Sequence, residues 1–334
     1  MSFKNILNQY GKERKPCFFA IDFLGKNYHI CPIEDASTQE ILFDIDGFKN
    51  YVPEHKDNLD NTQLNFTFSP PKKQNWKKSF QMVQKYIQRG DSYLLNLSAP
   101  TLLHTNFDLK NIFFNTYAKY KLLFKNQFVC FSPEIFIKVH QNNISSYPMK
   151  GTIDANIPDA EKIILENKKE LAEHYTIVDL IRNDLNQIAK EIKVKKFRYI
   201  DKIHTSKGDI LQVSSEIIGK LPENHWNFLG DWLAKLLPAG SISGAPKKKT
   251  IEIIKEAEKK FILHTKKKYK RGFYTGIFGY FDGENLNAGV MIRFIENIDN
   301  QLYFKSGGGV TYMSDEKAEY DELIQKIYLP YFND

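Results

Sequence analysis

Three features of the sequence predict an α+β fold. Short apolar runs such as Cys17-Phe18-Phe19-Ala20-Ile21 and Ile41-Leu42-Phe43 alternate with turn residues, the mark of strands and hairpins. Longer stretches carry apolar residues at helical spacing. The two patterns lack the regular strand and helix alternation of a parallel sheet, which leaves antiparallel hairpins beside long helices. The chain has 334 residues, 42% of them hydrophobic and 26% charged, enough for a sizeable core and for one or two domains.

Taken in order, residues 17–48 read as strands and hairpins. Residues 53–75 are polar, contain Ser69-Pro70-Pro71 and read as a connecting loop. The spacing of Phe80, Val83 and Ile87 predicts a helix over 76–89, closed by Gly90 at the position after the cap, where a left-handed backbone suits glycine. A strand follows in Tyr93-Leu94-Leu95-Asn96-Leu97. The lysine-dense stretch 246–271 carries Ile251, Ile254, Ala257 and Phe261 at helical spacing and reads as a surface helix with a solvated lysine face. No repeat or low-complexity block interrupts the chain.

Composition excludes several classes of function. The formal net charge of +7 invites a nucleic-acid reading, but lysines are interleaved with acids and no nucleic-acid motif accompanies them. No apolar run reaches the roughly 20 residues that span a bilayer, and Met1-Ser2-Phe3-Lys4-Asn5 is not the start of a signal peptide, so a cytoplasmic location is expected. Cys17, Cys31 and Cys130 are odd in number and widely spaced, which suits small core residues rather than disulfides or a zinc site.

Three constellations can carry chemistry. The first is a hairpin: residues 135–140 and 144–147 flank a turn at Asn142-Asn143, and counting outward brings Glu134 nearly opposite Lys150, or opposite Gly151 if the turn is a strict two-residue one. Alone, such a pair is a plain surface salt bridge. The second is a three-stranded meander of residues 274–281, 286–294 and 302–305. Its turns place Tyr274 opposite Arg293 and Arg293 opposite Ser306, beside Gly307-Gly308-Gly309. A hydroxyl, a guanidinium and glycine N–H groups in one row form a carboxylate cradle; alone, a glycine triplet is equally a strand-to-helix turn. The third is a pair of acidic helix faces. Glu170 and Glu173 lie beside an apolar stripe of Leu171, Tyr175, Val178, Ile181 and Leu185 on a helix over 167–192, while Glu319, Glu322 and Lys326 share one face of the C-terminal helix. Carboxylates and water suit a hard cation such as Mg²⁺, although glutamates at this spacing are common on solvated helices.

In this order the residues resemble the chorismate-binding enzymes, the family of anthranilate, aminodeoxychorismate, isochorismate and salicylate synthases. The resemblance runs over residues 76–330. It rests on Ser132-Pro133-Glu134, Pro148-Met149-Lys150-Gly151-Thr152, Glu173-His174 with Asp179-Leu180-Ile181-Arg182-Asn183-Asp184, Pro238-Ala239-Gly240-Ser241-Ile242-Ser243-Gly244-Ala245-Pro246-Lys247, and Gly307-Gly308-Gly309 leading to Glu319-Tyr320-Asp321-Glu322. It implies a single domain of two large facing antiparallel sheets with outer helices and the active site in the cleft. Residues 1–75 would then be a short strand-rich part of the same fold and 76–334 the catalytic region.

Two positions choose among the members. Lysine at Lys150 resembles the aminodeoxychorismate synthases, where the other members usually have alanine. Leu94 stands where the water-adding members place a lysine, and leucine cannot act as a base. The implied reaction replaces the C4 hydroxyl of chorismate by an amino group. Lys150 would attack C2 while Glu134 protonates the departing hydroxyl, and ammonia would then enter at C4 and expel the lysine. Lys150 must be neutral and Glu134 protonated for this, both against their ordinary tendencies. By the same resemblance Glu170, Glu173, Glu319 and Glu322 hold Mg²⁺. Tyr274, Arg293, Gly307 and Gly309 hold the enolpyruvyl carboxylate, with Thr152 and Lys326 as further contacts. Ammonia would come from a separate glutaminase subunit.

The sequence departs from the family pattern at Gln212, where a histidine is common, and at Ser243, where threonine is usual. The part before Trp76 is short, so tryptophan feedback is not expected. The rival readings are anthranilate synthase component I, an isochorismate or salicylate synthase, and a non-catalytic basic binding protein on the same fold.

Overall fold

The computed structural model describes residues 1–52, 65–205 and 208–329, so most of the loop expected over 53–75 lies outside the described residues. The chain forms two units that alternate along the sequence. The first comprises 1–36, 133–241 and 276–290, and the second 37–132, 242–275 and 291–334.

The first unit opens with α1 (Phe3–Glu13), β1 (Cys17–Ile21), β2 (Tyr28–Pro32) and α2 (Ile33–Ala36). The second then contributes β3 (Ile41–Ile45), β4 (Phe48–Lys49), β5 (Phe66–Ser69), α3 (Lys73–Gln88), β6 (Leu94–Thr105), α4 (Leu109–Asn115), β7 (Tyr120–Phe124) and β8 (Phe128–Ser132). The chain returns to the first unit through β9 (Ile135–His140), β10 (Asn143–Ser146), β11 (Met149–Asp154), α5 (Ala160–Glu166), α6 (Lys168–Asn186), β12 (Lys190–Thr205), β13 (Gly208–Lys220) and α7 (Leu229–Leu236). The second unit resumes with β14 (Gly244–Ala245) and α8 (Lys247–Glu258), and the first with β15 (Ile277–Phe281) and β16 (Asn285–Val290). β17 (Phe294–Ile298), β18 (Gln301–Thr311) and α9 (Glu316–Gln325) finish the second.

Each unit is built on one nine-stranded antiparallel sheet. The first runs β11-β13-β10-β9-β16-β15-β1-β2, with β12 paired to β13; the second runs β14-β6-β18-β17-β8-β7-β3-β4, with β5 paired to β6. Residues 1–75 are thus shared, β1 and β2 going to one sheet and β3 to β5 to the other. All five residues of β1 are buried, and so are their neighbours Phe278 and Phe281 on β15. The second unit stacks Phe124, Phe128 and Phe294, with ring centroids 4.9 and 4.6 Å apart. Burial of each such ring contributes about 2–3 kcal/mol, which is why apolar runs rather than polar ones become central strands. Cys17, Cys31 and Cys130 are free and buried, as small core residues.

Several expectations are corrected. β5 occupies 66–69 of the expected loop, because alternating Phe66 and Phe68 find a partner in β6. The helix α3 starts three residues before Trp76, and it ends as expected, with Gly90 at φ 79°. α6 stops at Asn186, well short of 192, since beyond it Ile192 and Val194 alternate with lysines as strand residues of β12. Its buried stripe is Glu173, His174, Ile177, Val178, Ile181 and Leu185, while Tyr175 is exposed. α8 ends at Glu258, and Phe261 packs into the core beyond it. Arg271 belongs to no solvated face: it is buried, with its Nη2 2.7 Å from the buried Glu258.

Candidate active site

The first unit gathers the groups that could react. Its hairpin turns at Gln141-Asn142, one residue earlier than expected, with His140 opposite Asn143. β10 ends at Ser146, and β11 pairs with β13 rather than with β9, so Glu134 and Lys150 do not face each other across a ladder as the sequence suggested. What presents Lys150 instead is a bulge. The register of β11 on β13 slips between Met149 and Thr152, and Gly151 takes φ 87°, a conformation that side chains other than glycine rarely adopt. A Cβ at this glycine would also come within 3.1 Å of Glu170 Oε2. The bulge turns Lys150 onto α6, where its Nζ lies 2.6 Å from Glu173 Oε2.

α6 is prepared for that role at its start. The Asn167 side chain caps it by accepting from the Glu170 N–H at 3.0 Å, and Glu173 follows one turn on, its side chain 4% exposed. His174 beside it is buried and 2.7 Å from Ser215 Oγ through Nε2. Burial, and then the Arg198 charge, push this histidine down to about 4, so the ring is neutral at neutral pH. Glu134 is also buried. Its backbone oxygen accepts from Val290 N–H at 3.1 Å, and the Ser241 hydroxyl donates to its Oε1. A cavity of about 20 Å³ borders Glu134, Ser241, Gly240 and Asp184. Thr152 is exposed on β11, opposite Gln212 on β13.

The second unit holds the groups suited to recognition. The expected meander is two hairpins in two different sheets: β15 and β16 keep the expected register up to Ile277 opposite Val290, and β17 and β18 keep it from Phe294 opposite Lys305. Tyr274 and Arg293 lie just outside those ladders. Tyr274 is buried, its ring set edge-on to Phe294 at 6.0 Å. Arg293 has φ 52°, which takes it out of the strand, and its guanidinium stands 5.1 Å over the Tyr328 ring. The pairings of Tyr274 with Arg293, and of Arg293 with Ser306, therefore do not form as ladder pairs.

Gly307 and Gly309 sit inside β18, paired with Ser98 and Asn96 of β6, not in a turn. Asp299 and Asn300 both have positive φ, as the favoured two-residue hairpin turn requires, so Ile298 and Gln301 close the hairpin as a hydrogen-bonded pair. Alternation then points the N–H and C=O groups of residues 307 and 309 toward the β17 edge. β17 pairs with β18 only as far as Lys305, so these glycines run past its end. Lys326 Nζ donates to the Gly307 oxygen at 2.9 Å, in keeping with this direction, and lies 2.7 Å from Glu322 Oε1.

Glu319 and Glu322 share a face of α9, as expected. Glu319 is buried and its Oε1 accepts from Ser314 Oγ at 2.6 Å. A Cβ on Gly308 would come within 3.3 Å of Glu319 Oε2 and 3.4 Å of Glu322 Oε1, so the glycine keeps open the space in front of both carboxylates. Glu170 and Glu173 belong to one unit, Glu319 and Glu322 to the other, and among the described residues no three ligating side chains converge on a point. Mg²⁺ takes one or two carboxylates at a time and keeps several waters, so the chemistry of either glutamate pair taken by itself suits it.

Sequence reasoning gave no role to Ser241, Asp184 or His174, although all three stand inside the motifs it singled out. Nothing in those motifs set them apart from polar neighbours such as Asp179, Arg182, Asn183 and Ser243. Nothing in the pattern separated Arg271, or Lys305 with its 2.5 Å partner Glu296, from surface charges.

The family model described as chorismate binding enzyme matches residues 27–330. The chain belongs to that family. It is 54% identical over 323 residues to an uncharacterised PabA-like protein of Haemophilus influenzae, an alignment covering 97% of this chain and 94% of the relative. It is 28% identical over 270 residues to aminodeoxychorismate synthase component 1 of Bacillus subtilis, covering 76% of this chain and 54% of that protein. The structure resembles anthranilate synthase component I from Streptococcus pneumoniae with a TM-score of 0.64 at 23% identity, over 83% of this chain and 61% of that one. As a chorismate-binding enzyme, the chain has the family's two large antiparallel sheets with helices. No helix among the described residues is long and apolar enough to cross a membrane.

Proposed function

We propose that this enzyme aminates chorismate at C4 to give 4-amino-4-deoxychorismate, on the way to 4-aminobenzoate and folate. The observation that carries the reading is Lys150, presented by a glycine-dependent bulge beside the buried carboxylate of Glu173, where the family's other branches usually carry alanine. A bulge re-aims the side chain it carries, and an amine so placed supplies a nucleophile for covalent catalysis.

Lys150 Nζ forms a bond to C2 of chorismate as the C4–oxygen bond breaks, and Glu134 supplies the proton with which that oxygen leaves as water. Ammonia then bonds to C4 while the lysine leaves C2, restoring the free amine. Ser241 holds one carboxyl oxygen of Glu134, which orients the acid. Arg293, Tyr274 and the N–H groups of Gly307 and Gly309 receive the enolpyruvyl carboxylate, with Thr152 and Lys326 as additional contacts. Glu170, Glu173, Glu319 and Glu322 would hold Mg²⁺, whose charge would offset that of the ring carboxylate. Ammonia is mostly ammonium at neutral pH, so a separate glutaminase partner is expected to supply it.

The test is product identification by chromatography and mass spectrometry after incubating the chain with chorismate, Mg²⁺ and an ammonium salt at mildly alkaline pH. Aminodeoxychorismate without anthranilate is expected. Anthranilate would assign the chain to the C2-aminating branch, isochorismate or salicylate would show that Leu94 does not bar water addition, and no turnover with or without a glutaminase would reject the reading.

A further inference from the structure

The two carboxylate pairs assigned to Mg²⁺ each already hold a lysine. Lys150 Nζ is 2.6 Å from Glu173 Oε2, whose side chain is 4% exposed, and Lys326 Nζ is 2.7 Å from Glu322 Oε1, whose side chain is 41% exposed. The Lys150 contact is the consequential one. A buried carboxylate is poorly hydrated, so an ammonium at hydrogen-bond distance serves as its counter-ion. The bulge that carries Lys150 lies close to α6, where a Cβ at Gly151 would come within 3.1 Å of Glu170 Oε2, one turn before Glu173. A divalent cation on the same carboxylate would meet that ammonium at short range, and two cations within a few ångströms in a water-poor site repel strongly.

We propose that Lys150 is the resident counter-ion of Glu173 and that Mg²⁺ competes with it for this carboxylate, so that metal uptake releases the lysine from its ion pair. The inference rests on the metal assignment above and adds a coupling to it: the cation that would steady the substrate also frees the nucleophile. Because coupling is reciprocal, removing the lysine must tighten the metal by the factor by which the metal loosens the lysine.

The experiment is titration calorimetry of the purified full chain with MgCl₂ at fixed ionic strength, without chorismate. Lys150→Met should bind Mg²⁺ about tenfold more tightly than wild type, within the usual range of such couplings. Lys150→Arg keeps a cation and should stay close to wild type. Lys162→Met, which removes the same charge from an exposed position on α5, should change affinity less than twofold. In a Glu173→Gln background, Lys150→Met should no longer matter. Affinity in Lys150→Met equal to or weaker than in Lys162→Met overturns the proposal. A second measurement needs no variant: acetylation of Lys150 in wild type, followed by mass spectrometry of its peptide, should speed up several-fold with saturating Mg²⁺, and an unchanged rate overturns it. Absence of Mg²⁺ binding in every form removes both the metal assignment and this coupling, while the product assay judges amination independently.

Discussion

The two units differ in where their candidate cationic side chains stand. In the first, the candidate reactive groups are withdrawn from water: Glu134 is 8% exposed and Glu173 5%, and Lys150 is held against the latter. In the second, the candidate cations are partly exposed, with Arg293 over Tyr328 and Lys326 on the half-exposed Glu322, while Tyr274 and Glu319 are buried and Gly307 and Gly309 lie on β18 beyond the end of β17. Proton and covalent chemistry depends on environments that depart from water, whereas carboxylate recognition needs donors that a charged substrate can reach. The buried cations of the second unit, Arg271 with the buried Glu258 and Lys305 with the partly exposed Glu296, serve structure instead: Arg271 also donates to the Ile242 oxygen and Thr275 Oγ1, each at 3.2 Å, and Lys305 to the backbone oxygens of Lys270 and Arg271.

This contrast predicts that substitutions in the first unit act on kcat and those in the second on KM. The largest effect is expected for Lys150→Ala, which should leave no aminated product above background in the mass-spectrometric assay; full activity with unchanged product would end the covalent role. Glu134→Gln should lower kcat by roughly 10²-fold or more, the usual size of general acid catalysis, with KM for chorismate little changed. Arg293→Gln should do the reverse. Losing a charge-assisted contact of about 1.5–3 kcal/mol should raise KM roughly 10- to 100-fold, and steady-state kinetics that showed a kcat loss instead would break the division between the units.

The smallest effect concerns stability. His174 titrates near 4 in the folded chain against about 6.5 when unfolded, so the unfolded chain takes up the proton first as pH falls. Its contribution is therefore fully present above about 6.5 and lost on the way down to 4. Urea unfolding at several pH values should show this decline, and His174→Phe should flatten it.

Local pattern was a good guide at several turns, though it placed the β9–β10 turn one residue late. The hairpin registers of β15 with β16 and β17 with β18 follow from their two-residue turns, and Gly90 closes α3 as its position implies. Pattern failed where a distant segment competes. The ladder that would have joined Glu134 to Lys150 is interrupted because β13 takes β11 for itself, and the meander divides because β16 and β17 find partners in different sheets. Tyr175 reads as a member of the apolar stripe and Glu173 as its polar neighbour, yet the acid is buried and the tyrosine exposed, an inversion of their hydropathy set by what packs on α6.

The family, the antiparallel character of the fold and the identity of the candidate reactive residues are all legible along the chain, because motifs and turn chemistry are local properties of neighbouring residues. The partner of Lys150, the hydroxyl that holds Glu134, and the burial of Arg271 are tertiary facts. Each depends on segments tens or hundreds of residues apart meeting at a water-poor point, where desolvation and close contact decide what a charge pairs with, and no spacing along the sequence encodes that meeting.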